Sequence, residues 1–276
     1  MSLVPAFQIY LDKILEEKAP QLAKKVPRFA VKWLSKLVHQ DDCNEALRYL
    51  GANTGVDAMV KFVDYFNLRL QLEGVENLPQ GGKYIFVSNH PLGGLDGICL
   101  SAVLGSHYDK KIKYIVNDIL YFIKPLQPIF VPINKHGSQS RKSARLIQEA
   151  LESDNQILSF PAGLCSRKEN GKIVDPEWKK MFILKAIEHE RDIVPIYFEG
   201  KNSSFFYRLA SVRKKLGIKT NIEMLFLPSE MFKQRNACFT IRFGEPISWK
   251  SLHDVKTSQQ WADWVKSVVY RMEKQN

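Results

Sequence analysis

The residues best equipped for chemistry lie together in Ser88-Asn89-His90-Pro91-Leu92-Gly93-Gly94-Leu95-Asp96-Gly97. An imidazole accepts a proton near neutral pH, and a carboxylate on its second nitrogen fixes the tautomer and stabilises the charged ring. His90 and Asp96 supply those two groups, and such a dyad activates a hydroxyl or amine to attack a thioester. Gly93 and Gly94 allow the chain to fold back so that Asp96 reaches His90, and they leave backbone open to a substrate. A plainer reading is a loop histidine that bonds the start of the next helix. Cys165 is a conceivable acyl-carrying nucleophile, but nothing in the sequence places it beside His90. The amides around Gly163 and Leu164 offer a second candidate role, polarising the thioester carbonyl without any side chain.

These residues need a rigid frame, and the apolar pattern supplies one. Short runs at Tyr84–Val87, Ile112–Val116, Ile129–Ile133, Gln156–Phe160 and Ile193–Phe198 read as strands. Helical windows near 97–105, 139–153 and 177–189 separate them, which predicts parallel βαβ units. Leu68, Leu70 and Leu72 alternate with polar residues and begin this region, while Asn221–Leu227 and Ala237–Phe243 read as later strands. Helix 256–274 closes the chain with Trp261, Trp264, Val265, Val268 and Val269 on one side. His90 then falls just after a buried strand, at the carboxyl end where open α/β sheets hold ligands.

Residues 1–67 read as a separate helical region, followed by an α/β domain over 68–276. Phe7, Tyr10, Leu11, Ile14 and Leu15 share one face of a first helix, with Pro5 suited to its start and Pro20 to its end. A second helix lines up Val26, Phe29, Ala30, Trp33, Leu34 and Leu37, with Lys25, Arg28, Lys32 and Lys36 elsewhere around it. Such a helix either packs on the core with a solvated charged face or lies in a membrane interface. A third covers Asn53 to Asn67, with Val56, Met59, Val60 and Val63 inward.

The run Gly74-Val75-Glu76-Asn77-Leu78-Pro79, then Gly81-Gly82 and Ile85-Phe86-Val87-Ser88-Asn89-His90, resembles the first block of the glycerolipid acyltransferases related to lysophosphatidic acid acyltransferase. In that family an N-H-x4-D motif supplies a His base and the Asp that orients it. The resemblance implies those roles for His90 and Asp96, although five residues separate them here instead of four. Pro128-Ile129-Phe130-Val131-Pro132-Ile133-Asn134 resembles the second block, with Asn134 and Lys135 where the family places a phosphate-binding Arg. Phe160-Pro161-Ala162-Gly163-Leu164-Cys165-Ser166-Arg167 resembles the third block, F-P-E-G-T-R-S, but Ala162 replaces its Glu and Cys165 its Arg. Val194-Pro195-Ile196-Tyr197 and Phe243-Gly244-Glu245-Pro246-Ile247 resemble later blocks, so the likeness spans roughly 68–250.

The implied fold is an α/β core with a mixed, largely parallel sheet behind an N-terminal helical region. The implied substrate-binding set is Asn89, Gly93, Gly94, Asn134, Lys135, Phe160, Pro161, Gly163, Ser166 and Arg167. Loss of the third block's Glu and Arg implies a changed acceptor, of the ornithine- or glycine-lipid type, carrying a free hydroxyl on its fatty chain. The expected reaction is O-acyl transfer from a coenzyme A or acyl carrier protein thioester to a lysolipid, without metal or tightly held cofactor. The alternatives are acylation of lysophosphatidic acid itself and a non-catalytic lipid-binding protein of the same fold. Lys135, Arg141, Lys142, Arg145, Arg167 and Lys168 are candidate cations for a phosphate or pantetheine arm, and solvated surface charge explains them equally.

Forty Lys and Arg against 29 Asp and Glu give a net charge of +11, which favours an anionic partner. Nucleic acid is disfavoured for want of any stacking or groove-reading motif. No apolar run reaches the roughly 18 residues of a spanning helix, and MSLVPAFQIYLDK lacks the order of a signal peptide. The expectation is a cytoplasmic protein on the inner face of the cell membrane. Cys43, Cys99, Cys165 and Cys238 form no CxxC pair, which argues against a disulfide framework or zinc site. Ser203-Ser204-Phe205-Phe206-Tyr207-Arg208-Leu209 followed by Arg213-Lys214-Lys215 is a second aromatic and basic stretch, suited to a membrane interface or to a loop over the acyl tunnel.

Overall fold

The computed structural model describes residues 7–18, 20–133, 139–253 and 255–274. Five helices come first: α1 (Leu11–Lys18), α2 (Pro20–Ala23), α3 (Arg28–Leu37), α4 (Gln40–Leu50) and α5 (Gly55–Tyr65). The expected first helix thus begins after Phe7 and Tyr10, while Pro5 and the second-block residues Asn134 and Lys135 lie outside the described residues. The rest of the chain runs β1 (Arg69–Glu73), β2 (Tyr84–Ser88), α6 (Leu95–His107), β3 (Ile112–Asn117), β4 (Phe130–Ile133), α7 (Gln139–Glu152), β5 (Gln156–Ser159), β6 (Arg167–Glu169), β7 (Lys172–Val174), α8 (Met181–Glu188), β8 (Asp192–Phe198), α9 (Ser204–Lys215), α10 (Leu227–Phe232), β9 (Cys238–Phe243) and α11 (Ser258–Arg271).

Seven strands form one sheet in the order β1-β9-β8-β2-β5-β3-β4. Every neighbouring pair is parallel except β8 with β9, so the sheet is mixed and largely parallel. Strand alternation sorts the core onto its two faces. Phe86, Leu158, Val194, Ile196 and Phe198 join Leu50, Met59, Phe66, Leu100 and Leu104 from α4 to α6 on one side. Ile85, Val87, Ile157, Ile193 and Tyr197 join Leu151, Ile183, Val265 and Val269 from α7, α8 and α11 on the other. Strands buried on both faces read as unbroken apolar runs, which is why they were visible in the sequence. The core on the first side is continuous with α4 and α5, whose Ala46, Leu47, Val56 and Phe62 belong to it.

One expected strand is absent. Asn221–Leu227 is not extended; Ile222–Phe226 is a 3-10 turn that runs into α10, with Pro228 in the first turn of that helix. Glu223 sits within this turn and was not singled out from the sequence. Its carboxylate is fully buried between the guanidinium groups of Arg167 and Arg213, each 2.8 Å away. The aromatic stretch from Ser203 is the start of α9, where the Ser203 hydroxyl accepts from the Phe206 N–H and Phe206 and Tyr207 are buried.

Candidate active site

β2 delivers the chain to the carboxyl end of the sheet at Ser88. Asn89 is buried, and its amide pairs with β8 through Phe198, donating to the carbonyl at 2.9 Å and accepting from the N–H at 2.7 Å. It therefore anchors the turn from behind. After His90 the chain turns through Pro91 to Gly94 and enters α6, with Asp96 in the first helical turn.

His90 Nδ1 and Asp96 Oδ2 lie 3.0 Å apart. The same oxygen accepts the N–H groups of Leu92 at 2.9 Å and Gly93 at 3.3 Å, and Oδ1 accepts that of Gly97 at 2.9 Å. Main-chain donors at a helix start hold this carboxylate in place. With the proton on Nδ1 donated to this oxygen as a hydrogen bond, Nε2 carries the free lone pair. The extra residue between the pair is absorbed at Gly93, whose φ of +78° is left-handed. Space confirms the need for glycine, because a Cβ there would stand 2.9 Å from Leu227 Cδ1 and 3.1 Å from Cys165 Cβ.

The His90 side chain is 12% exposed and Asp96 is fully buried. Phe160, just after β5, faces the imidazole at 4.1 Å between ring centroids, and Tyr114 packs on Phe160 at 5.5 Å. Burial opposes the charged imidazole. The charge and hydrogen bond of Asp96, with the charge of Asp175, outweigh both burial and Arg167, so the His90 pKa stands above the usual value.

Asp175 was not anticipated from the sequence. Its Oδ1 accepts the His90 backbone N–H at 3.1 Å and the Ser166 hydroxyl at 2.5 Å, and its Oδ2 accepts Trp178 Nε1–H at 2.9 Å. The Ser166 N–H donates to the His90 carbonyl at 2.8 Å, so His90 is gripped on both sides of its own backbone. Tyr270 and Lys266 of α11 hold the Asp175 main chain. Burial pushes the Asp175 carboxyl above the usual range. The available signal was Asn170-Gly171, a type I′ hairpin pair with φ of +49° and +84° that joins β6 to β7 and returns Asp175 to Ser166.

The third-block turn adjoins this motif, since β5 pairs directly with β2. Pro161 is buried and accepts Lys179 N–H, and Gly163 closes the turn by donating its own N–H to the Phe160 carbonyl at 3.0 Å. That amide is thus committed within the turn. Ala162 packs into the core. Burial pushes the Cys165 thiol up to about 11 despite the nearby Arg167 guanidinium. Arg167 donates to the Cys165 carbonyl at 2.6 Å and to Glu223 at 2.8 Å, with its guanidinium over the Phe206 ring. Arg141, Lys142, Arg145 and Lys168 are exposed, and Arg145 pairs with Glu149. Gly94 is in contact with nothing that a Cβ would meet.

A groove of about 570 Å³ opens at the same end of the sheet, one strand away from the dyad. Pro91 and Ser166, on either side of His90, line it together with Tyr197, Asn202 and Phe239, while the dyad itself does not. Among the described residues there is no cluster of three or more metal-ligating side chains, and no helix is long and apolar enough to cross a membrane.

A histidine paired with a buried carboxylate stands at the end of a central strand, and the chain belongs to the family described as Acyltransferase, which it matches over residues 13–275. Its relatives include a lyso-glycine lipid O-acyltransferase of Bacteroides thetaiotaomicron, 50% identical over 96% of this chain and 98% of that protein. Another of the same name from Phocaeicola vulgatus is 48% identical over 96% and 95%. Among solved structures, the 1-acyl-sn-glycerophosphate (LPA) acyltransferase PlsC of Thermotoga maritima is 15% identical, covers 94% of this chain and 85% of its own, and has a TM-score of 0.46.

Proposed function

We propose that this enzyme O-acylates the fatty-chain hydroxyl of a lyso-aminolipid of the glycine-lipid type, with an acyl thioester of coenzyme A or acyl carrier protein as donor. The observation that carries the chemistry is the 3.0 Å contact between His90 Nδ1 and Asp96. His90 Nε2 takes the hydroxyl proton as the acceptor oxygen attacks the thioester carbonyl. Collapse of the tetrahedral intermediate breaks the C–S bond, and the departing thiolate takes that proton from the imidazolium. Asp96 orients the ring and stabilises its charge throughout. Asp175 and Asn89 act as positioning residues behind it.

The acceptor class rests on the two curated relatives and on the state of the third block. Where the family pattern has an Arg, Cys165 is buried, and Arg167, two positions on, is bound to the Glu223 carboxylate that it shares with Arg213. Arg167 is thereby turned into the protein and away from a head group. Gly93, Gly94, Phe160 and Ser166 are the parts of the expected binding set nearest the base, and Asn134 and Lys135 are assigned to the acceptor side on the resemblance alone.

Membrane attachment through α3 completes the reading. Phe29 and Trp33 of that helix are 77% and 63% exposed, beside Arg28, Lys32 and Lys36, which is how an interfacial helix presents itself to anionic lipid. Purified enzyme given an acyl thioester and a lyso-glycine lipid is expected to form the diacylated lipid by mass spectrometry, and to form far less product from lysophosphatidic acid. Preference for lysophosphatidic acid would overturn the acceptor assignment.

A further inference from the structure

Between β8 and β9 the chain leaves the sheet for a helical excursion that begins with α9 and returns through α10. From Lys201 to Ile222 it holds six cations, Lys201, Arg208, Arg213, Lys214, Lys215 and Lys219, and no acidic residue. Phe205, Val212 and Leu216 recur at intervals of seven and four on one helical face, and are 46%, 52% and 68% exposed. α9 ends in a Schellman motif, in which Gly217 N–H bonds Lys214 and Ile218 N–H bonds Arg213. That turn places half-exposed Ile218 beside the stripe, and Phe226 packs on Phe205 with exposed Leu225 next to it.

Cations in the last turn of a helix are explained by its dipole. The dipole does not explain an apolar stripe left in water beside them. We propose that this face of α9, with Ile218 and Leu225, is a second membrane-docking surface for anionic lipid, acting together with α3. The inference rests on the membrane reading above and extends it from one contact to two. Charge selects the occupant, since a cation-rich and acid-free segment with an apolar stripe matches an anionic bilayer surface. The two surfaces flank α10, where Phe232 stacks on His39 at the junction of α3 and α4. The excursion is also fixed to the site. Glu223 ties Arg213 of α9 to Arg167, Glu230 of α10 bonds Ser203 at the start of α9, and Leu227 rests on Gly93. Docking at both places therefore sets the His90 turn at a fixed attitude to the surface from which a lysolipid arrives.

The test is flotation of the full chain with vesicles of phosphatidylglycerol and phosphatidylethanolamine, and with phosphatidylcholine alone, comparing V212S/L216S/I218S and K214E/K215E with F29S/W33S. The α9 variants are expected to lose about tenfold or more in affinity for anionic vesicles, comparably to the α3 variant, and the wild-type preference for anionic lipid is expected to weaken in added salt. Transfer to a short-chain acceptor kept below its micellar concentration reports the His90 chemistry alone, and the α9 variants are expected to retain it. Unchanged vesicle affinity in both α9 variants overturns the inference while leaving the α3 reading intact. A shift from dimer to monomer on the same substitutions, without loss of lipid binding, assigns the face to a second copy of the chain and equally overturns it.

Discussion

Two turns lie side by side at the carboxyl edge of the sheet, and their polar groups are arranged differently. The turn after β2 keeps base, carboxylate and the glycine that joins them, with the carboxylate saturated by main-chain donors. The turn after β5 keeps its shape, yet its polar equipment faces inward. Gly163 N–H, Ser166 and Arg167 all bond to the protein itself. Proton transfer makes the same demand of any hydroxyl acceptor, whereas head-group recognition changes with the head group. On the proposed function, chemistry and acceptor choice reside in separable turns.

The largest expected effect strikes the first turn. His90→Ala should lower turnover by about 10²–10⁴-fold with the melting temperature nearly unchanged. In the intact enzyme the base must be neutral, so activity is lost as pH falls through the raised His90 pKa, and the acid limb of kcat/KM should lie above the ordinary histidine range. Near-normal transfer by the alanine variant would erase the distinction between the two turns.

Next comes a loss of stability in the second turn. Glu223→Gln leaves Arg167 and Arg213 facing each other over a neutral amide, which should cost about 3 kcal/mol, or roughly 6–10 °C in Tm. A calorimetric scan with no change would mean that these cations are free after all, and phosphate recognition would return to consideration.

The same residue shows where the sequence was legible and where it was not. His90 and Asp96 were readable because both lie in one local segment after an apolar strand. The buried strands were readable because each is apolar on both faces. Asn221–Leu227 was misread as a strand, and nothing in its local pattern shows that Glu223 is buried between arginines from two distant segments. Asp175 was missed for a related reason. Asn170-Gly171 announces the hairpin, but only closure of β6 on β7 brings a carboxylate nine positions from Ser166 back to it, and only packing of α11 fixes it there.

A smaller effect joins the two turns. Asp175→Asn keeps an oxygen for the His90 N–H but removes the charge, and turns an amide toward Trp178 Nε1–H. Turnover should fall about tenfold, and because the charge of Asp175 helps raise the His90 pKa, the acid limb should move to lower pH. A purely structural role would lower turnover and leave the limb in place.

The smallest expected effect is the sharpest test of the contrast. With its thiol pushed up to about 11, Cys165 is thiolate in about one part in a thousand at pH 8. A buried thiol in that state is a poor acyl carrier. Cys165→Ala should cost about 1 kcal/mol through the small cavity it leaves and hold turnover within about twofold. Rapid quenching followed by mass spectrometry should find no acyl adduct at that position in the wild type. Loss of turnover together with a trapped thioester on Cys165 would make the second turn catalytic, because the acyl group would then pass through it before reaching the acceptor. His90 would in that case serve the thiol first, and acceptor choice would no longer be separable from chemistry.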